Sequence, residues 1–432
     1  MSTLQQNLTN LINAKNAIGT AITSNGGELS TGRLEGFPDD LNNRFGYIND
    51  YIESLLTAPP PPPPSSVTRQ VNFVNETTSI TDGSIEDVDT FAGIRRCNVA
   101  DDGTINCFYG ENSYTEDGSN GQVMVYIPKF YYKVNHTDSS GNALTNGAAI
   151  DIGNWSIADG ALEGYTVHPA FINVNGDEVD YFLIGAFEAV FQNGSTYTSS
   201  YKASYKMASS KGSGSLTPSR SFTRANGRTT AQARGTGWYQ IGIKQISAIQ
   251  LLITVEYGCD SQASIGQGFT KSGYSNPTNV GQTIGNSTSE HSDNVSVVVY
   301  RGIENLWGNI WSWIDGLTMY GLKPYVYTGY SFTDSYSIGV QLSFDIPSAA
   351  TITRFGYDST FNWVFLPKYF NSSNSMINDI VDGVYFPQGT YISMLGGGYA
   401  NATDAGLFNL NVTNSSSSTG SKIGSRLMYV PS

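Results

Sequence analysis

The sequence predicts an α+β chain: an N-terminal helical, coiled-coil-like anchor, a stiff proline spacer, and a large domain of short strands and loops. Three observations carry that expectation. Two apolar stripes at heptad-like spacing lie within residues 1–57, and six prolines run from Pro59 to Pro64. From Val67 onward, short apolar-aromatic runs alternate with Gly-, Ser- and Asn-rich stretches. The expected division is 1–57, a helical oligomerisation and attachment region; 58–66, a polyproline linker; and 67–432, the large domain.

In the first region, Leu4, Leu8, Leu11, Ile18 and Ile22 form one stripe, interrupted at Lys15. The turn-rich SNGGELSTGRLEGFPDD separates it from Leu41, Phe45, Ile48, Ile52 and Leu55, spaced 4-3-4-3. That second stripe is an a/d seam, the pattern that packs parallel helices into dimers or trimers. Isolated helices of roughly 12–15 residues are marginal in water. The stripes are therefore expected to pack on each other, to self-associate as a homotrimer, or to dock onto a larger assembly. The segment MSTLQQNLTNLINAKNAIGTAI has neither a basic n-region nor a continuous apolar h-region, so no signal peptide is expected. No run approaches the roughly 18 apolar residues of a membrane helix. The proline run adopts polyproline II, rising about 3.1 Å per residue, and spans roughly 19 Å as a spacer.

In the large domain, VMVYIPKFYYKV (123–134) and YFLIGAFEAVF (181–191) read as long strands, and SVVVYRG (296–302) as another. IKQISAIQLLITVEYG (243–258) is the one convincing helix, with Gly258 placed to end it. No fixed-period repeat runs through the chain, against a β-helix or a propeller. RGIENLWGNIWSWIDGL (301–317) concentrates Trp307, Trp311 and Trp313 in a chain with only six tryptophans. Gly308 and Asn309 suit positive-φ turn geometry, with the tryptophans pointing alternately from the strand that follows. Large buried rings suit the core of a loop-dominated domain; a sugar-stacking platform is the alternative.

The composition narrows the function. A net charge of −13, with no basic cluster to offset it, works against nucleic-acid binding. Cys97, Cys107 and Cys259 form no CxxC pair and read as small buried hydrophobes. His136, His168 and His291 show no metal spacing, and His168 reads as a structural histidine. Glu256, Asp260, Glu304 and Asp315 offer carboxylates, but the sequence pairs none of them across a pocket. Asp260, Glu304, Asn305 and Asp315 are oxygen ligands of a kind that holds calcium, yet no EF-hand or lectin-type motif groups them. No GxSxG elbow accompanies the histidines. No cofactor and no enzymatic activity are expected.

Two motifs, in order, resemble a known family. LWGNIWSWIDG (306–316) resembles the GNVWEW signature of the formylglycine-generating-enzyme type of C-type-lectin fold. GGGYANATDAGLFNLNVTNSSSSTGSKIGSRL (396–427) resembles that fold's ending, a GG turn at Gly396–Gly397, a variable region, and an IGFR-like close. Here the close is IGSR, with Gly424 and Arg426 in place and Ser425 at the aromatic position. The helix before Glu256 and Tyr257 matches the place of the family's EAEWEYAA-like helix. Similar elements occur in retroelement-diversified receptor-binding proteins of bacteriophages, and the N-terminal LINAKNAIGTAI and the VMVYIPKFYYKV strand resemble pieces of phage fibre proteins. The resemblance implies a C-type-lectin-like domain on a tail or head fibre at the virion surface. It also implies virion partners at the N-terminus and a host-cell-surface glycan or protein as target. A structural capsid or tail decoration protein without host binding is the alternative. The family's enzymes use a cysteine pair in the C-terminal stretch, and no cysteine follows Cys259 here.

Between Gly398 and Lys422, polar Asn, Thr, Ser and Asp mix with Tyr399 and Phe408, a palette that antibody loops also use. Tyr399, Asn401, Thr403, Asp404, Asn409, Asn411 and Asn414 are the candidate contacts, with Ala405, Leu407 and Leu410 facing the core. A solvated loop without a target is the other reading of this Ser-rich stretch. Trp307, Gly308, Asn309, Trp311, Trp313, Gly396, Gly397, Gly424 and Arg426 are the expected scaffold.

Overall fold

Apolar runs of four to seven residues, broken by glycine and proline, are long enough for strands and too short for most helices, and antiparallel sheets dominate the result. The computed structural model describes residues 29–30, 33–34, 65–72, 77–80, 88–259, 261–288, 296–346, 351–371, 382, 384–385 and 389–432. The chain divides into two units, Met1–Pro63 and Pro64–Ser432. In the first, Leu29–Ser30 pairs antiparallel with Arg33–Leu34, within the stretch read as turn-rich. The seam Leu41, Phe45, Ile48, Ile52, Leu55 and the proline run lie outside the described residues.

The second unit holds three large sheets among the described residues. One runs Thr166–Val167, Tyr131–Val134, Ile152–Ala158, Ser66–Asn72, Thr77–Ile80. Another runs Trp238–Gln240, Leu427–Tyr429, Tyr181–Gly185, Gln122–Pro128, Arg95–Val99, Ile105–Phe108. The third is centred on Trp311–Tyr320, which pairs antiparallel with Lys323–Val326 and Thr390–Leu395, and parallel with Ile423–Gly424. Leu410–Asn414 pairs with the far side of Thr390–Leu395.

Two expected strands are each divided. The run 123–134 splits at Pro128, which has no N–H to continue a ladder, and its halves join different sheets. The run 181–191 ends its first strand at Gly185, and Val190–Asn193 belongs to a separate three-stranded sheet. Of 296–302 only Val299–Tyr300 pairs as a strand, in a hairpin with Ile303–Glu304.

Helix Ile243–Tyr257 forms where expected, and Gly258 caps it at φ 87° with its N–H on the Thr254 carbonyl. It is buried on nearly every side, packed against Ser66–Asn72, Ile152–Ala158 and the tryptophan strand. A second helix, Arg224–Gln232, has too few apolar residues to announce itself; Thr223 caps it by accepting from the Asn226 N–H.

Candidate binding surface

The tryptophan stretch is interior. Trp307 and Trp313 are fully buried and Trp311 is 4 % exposed. Their orientation corrects the expected alternation. Trp311 and Trp313, two residues apart on one strand, share a face and a core with Ile392, Met394 and Ile423. Trp307 precedes the strand and packs into the other core. The indole N–H of Trp307 donates to the Gly266 carbonyl at 3.0 Å, and that of Trp313 to Phe222 at 3.0 Å.

Before this strand, Gly308 and Asn309 adopt positive φ as expected, and so does Asn305. Glu188 holds the two asparagines there. Its carboxylate accepts from Asn305 Nδ2 at 3.2 Å, Asn309 Nδ2 at 2.5 Å and the Ile310 N–H at 3.3 Å. Burial pushes its carboxyl up to about 8, against the pull of Arg426 and these donors. Arg426 is buried alongside and donates to the carbonyls of Gly185, Glu304 and Asn305. A guanidinium can satisfy several converging carbonyls at once, which joins the last strand to the segment before the tryptophans. Glu188 and its role went unread in the sequence; one carboxylate inside the apolar run YFLIGAFEAVF was the available signal.

This scaffold pins the C-terminal loops. Gly396 and Gly397 take φ 94° and 77°, and a side chain on Gly396 would meet the Leu306 carbonyl at 2.7 Å. The Gly308 N–H donates to the Gly396 carbonyl and the Tyr399 N–H to the Asn309 carbonyl. Gln262 holds the next turn through the carbonyls of Thr403 and Ala405. Gly424 packs too tightly on the Ser219 carbonyl to carry a side chain.

Thr403 and Asp404 lie exposed on this turn. Asn401, Asn411 and Asn414 are half-buried. Asn401 Oδ1 accepts from the Gly398 N–H and Asn411 Oδ1 from the Thr413 N–H, so each also shapes its own turn. Tyr399 and Asn409 are a correction, being 2 % and 0 % exposed, with side chains withdrawn from any ligand. Tyr399 is drawn in by the backbone bond to Asn309, and Lys422 stands over its ring. The Asn409 amide turns inward to the Asp404 carbonyl. Ala405, Leu407 and Leu410 face the core as expected.

The second polar loop, 415–422, is anchored where Arg220 donates to the Ser421 carbonyl and the Ser221 N–H to that of Gly420. Beside it opens a cleft of about 360 Å³, with Ser200, Tyr201, Thr217, Arg220 and Ser421 among its walls. Tyr201 and Arg220 were not singled out in the sequence, because 197–221 reaches the C-terminal loop only through long-range packing.

Of the carboxylates named for catalysis or calcium, those among the described residues have protein partners. Glu256 pairs with Arg301 at 2.6 Å, and Asp315 pairs with Arg228 at 2.6 Å while accepting from Gln240. Glu304 accepts from the N–H groups of Gly281 and Thr283. Asp260 lies outside the described residues. Among the described residues, no three His, Cys, Asp or Glu side chains gather as a metal site. Cys97, Cys107 and Cys259 are buried and form no disulfide.

No family model matches the sequence, and no curated protein matches it. Among solved structures, the chain is similar to the I1, U1 and M1 variants of the Major Tropism Determinant. Identity is 12% in each case, over 78% of this chain and 72%, 72% and 73% of theirs, with TM-scores of 0.30, 0.29 and 0.28.

Proposed function

We propose that this chain is a receptor-binding fibre protein of a bacteriophage, displayed on the virion and built as a homotrimer through its N-terminal seam. It engages a host-cell-surface glycan or protein through the turn 401–404, the loop 415–422 and the adjoining cleft. One observation carries the reading: a buried scaffold fixes the ends of two polar loops and leaves their tips exposed. Recognition surfaces need that combination, since ordering a floppy loop on binding consumes affinity. Single-site binding by such hydroxyl- and amide-rich tips is weak, and three copies on one fibre raise it by avidity. The role requires no chemistry and no metal.

The test is binding of the fluorescently labelled full-length chain to cells of the bacterium its particle infects. Thr403→Arg, Asp404→Arg and Ser421→Trp together, all at exposed positions, are expected to reduce binding by about 100-fold, the scale of losing two bidentate or packed contacts per site. Unchanged binding by the folded triple variant overturns the reading in favour of a decoration protein.

A further inference from the structure

A second cleft, of about 760 Å³, opens between residues 117–119, the hairpin 190–198 and the segment 213–216. Its size falls within the ~300–1,000 Å³ typical of ligand clefts. We propose that this cleft is a subsite for a neutral oligosaccharide. The proposal stands on the cleft alone and is independent of the loop-face reading.

The wall chemistry selects the ligand class. Ser119, Ser195 and Ser215, Gln192, Asp117 and Tyr197 are among its walls. Sugar hydroxyls both donate and accept, and hydroxyl and amide side chains answer in both senses. A carboxylate takes two sugar O–H groups at once, and an aromatic ring takes the sugar's C–H face. Hydrogen bonds from Ser119 hold the Asp117 carboxyl below the usual range. Among the described residues, the lining includes no lysine or arginine. A phosphate, sulfate or uronate would therefore meet one like charge in the wall, with the nearby Arg234 buried behind Gln192 and paired with Asp101.

The cleft is also built rather than incidental. Tyr197 donates to the Gly118 carbonyl at 3.1 Å, and it lies so close over Gly118 that a Cβ there would come within 2.3 Å of its hydroxyl oxygen and 2.4 Å of its ring. Gln192 is fixed from both ends. Its Nε2 donates to the Gly194 carbonyl at 3.0 Å, while its Oε1 accepts from Gln122 and from buried Arg234. Arg234 is held in turn by Asp101 and by the Met207 carbonyl at 2.6 Å. Gly194 and Ser195 form the tip of a two-residue hairpin between Asn193 and Thr196, which sets one wall at a defined height. A ring and an amide held in place before binding spare the ligand an ordering cost.

The experiment is saturation-transfer NMR on the full-length chain with neutral trisaccharides of glucose, galactose, mannose and N-acetylglucosamine, and with trigalacturonate as the anionic probe. At least one neutral trisaccharide should bind at concentrations up to about 10 mM. Ser195→Trp and Ser215→Trp, both at exposed positions, should each weaken it at least about tenfold, as should Tyr197→Ala, while Tyr197→Phe retains most of it. The proposal is overturned if no neutral trisaccharide binds, if trigalacturonate binds as well, or if the tryptophan variants bind like the parent. The triple variant of the loop face should leave trisaccharide binding unchanged, so failure of one reading is distinguishable from failure of the other.

Discussion

His136 is buried edge-on against Trp155, with ring centroids 4.8 Å apart, and neither ring nitrogen has a hydrogen-bond partner among the described residues. Burial drives its pKa down to about 3, and burial beside Lys244 does the same to His168. Both are neutral in the folded chain and titrate near 6.5 when unfolded, so they contribute stability above 6.5 that is lost as pH falls toward 3. Glu188 runs the other way: its raised pKa gives stability that is complete below 4.5 and lost as pH rises through about 8. Comparing His136→Phe with the parent isolates the histidine, because Glu188 and His168 titrate alike in both. Between pH 6.5 and 5 the parent should lose about 1.5 kcal/mol more than the variant in urea unfolding. Equal slopes would mean that water reaches the His136 ring. The sequence disclosed that His168 is structural, from its place before a proline in an apolar run. It did not disclose Glu188, Arg96 or Arg426 as buried ionisable groups, because the carbonyls and amides that satisfy them come from remote segments.

At the level of the element, the strand Trp311–Tyr320 joins the C-terminal loops to the core. Trp311 packs with Trp313, Ile392, Met394 and Ile423, while its N–H holds the Lys422 carbonyl at the end of the second loop. Trp311→Ala should cost about 3–5 kcal/mol and lower folding yield before it alters any binding preference. Thermal unfolding of the variant beside its cell binding checks this; a stable variant with selectively lost binding would move the site to the indole itself. Helix 243–257 and the turn at Gly308–Asn309 were legible because both are written locally, in apolar spacing, a terminal glycine and turn-prone residues. The partners of each strand were not. Gln122–Pro128 lies between Tyr181–Gly185 and Arg95–Val99, and Trp238–Gln240 lies beside Leu427–Tyr429, nearly 190 residues away. Nothing within a strand's own residues encodes such a neighbour. The same limit hid the burial of Tyr399 and Asn409, whose surroundings come from Asn309, Lys422 and the turn at 404.

For the whole molecule, the proposal assigns assembly to one unit and recognition to the other. The large unit, Pro64–Ser432, has cores of its own, so its stability should not depend on the seam. Charges placed at a and d positions oppose helix association directly, since each would have to be desolvated in the seam. Leu41→Asp with Ile48→Asp in the full-length chain should therefore convert a trimer to a monomer in sedimentation. The thermal transition of the large unit should not move. Binding to cells should fall by about 100-fold or more, the scale of lost multivalency, while trisaccharide affinity per chain stays the same. A monomeric parent, or a double variant that remains trimeric, would remove the seam from the assembly. A variant that is monomeric yet binds cells as tightly as the parent would show that one copy of the loop face suffices, so that the affinity must reside in contacts stronger than hydroxyl- and amide-bearing tips provide.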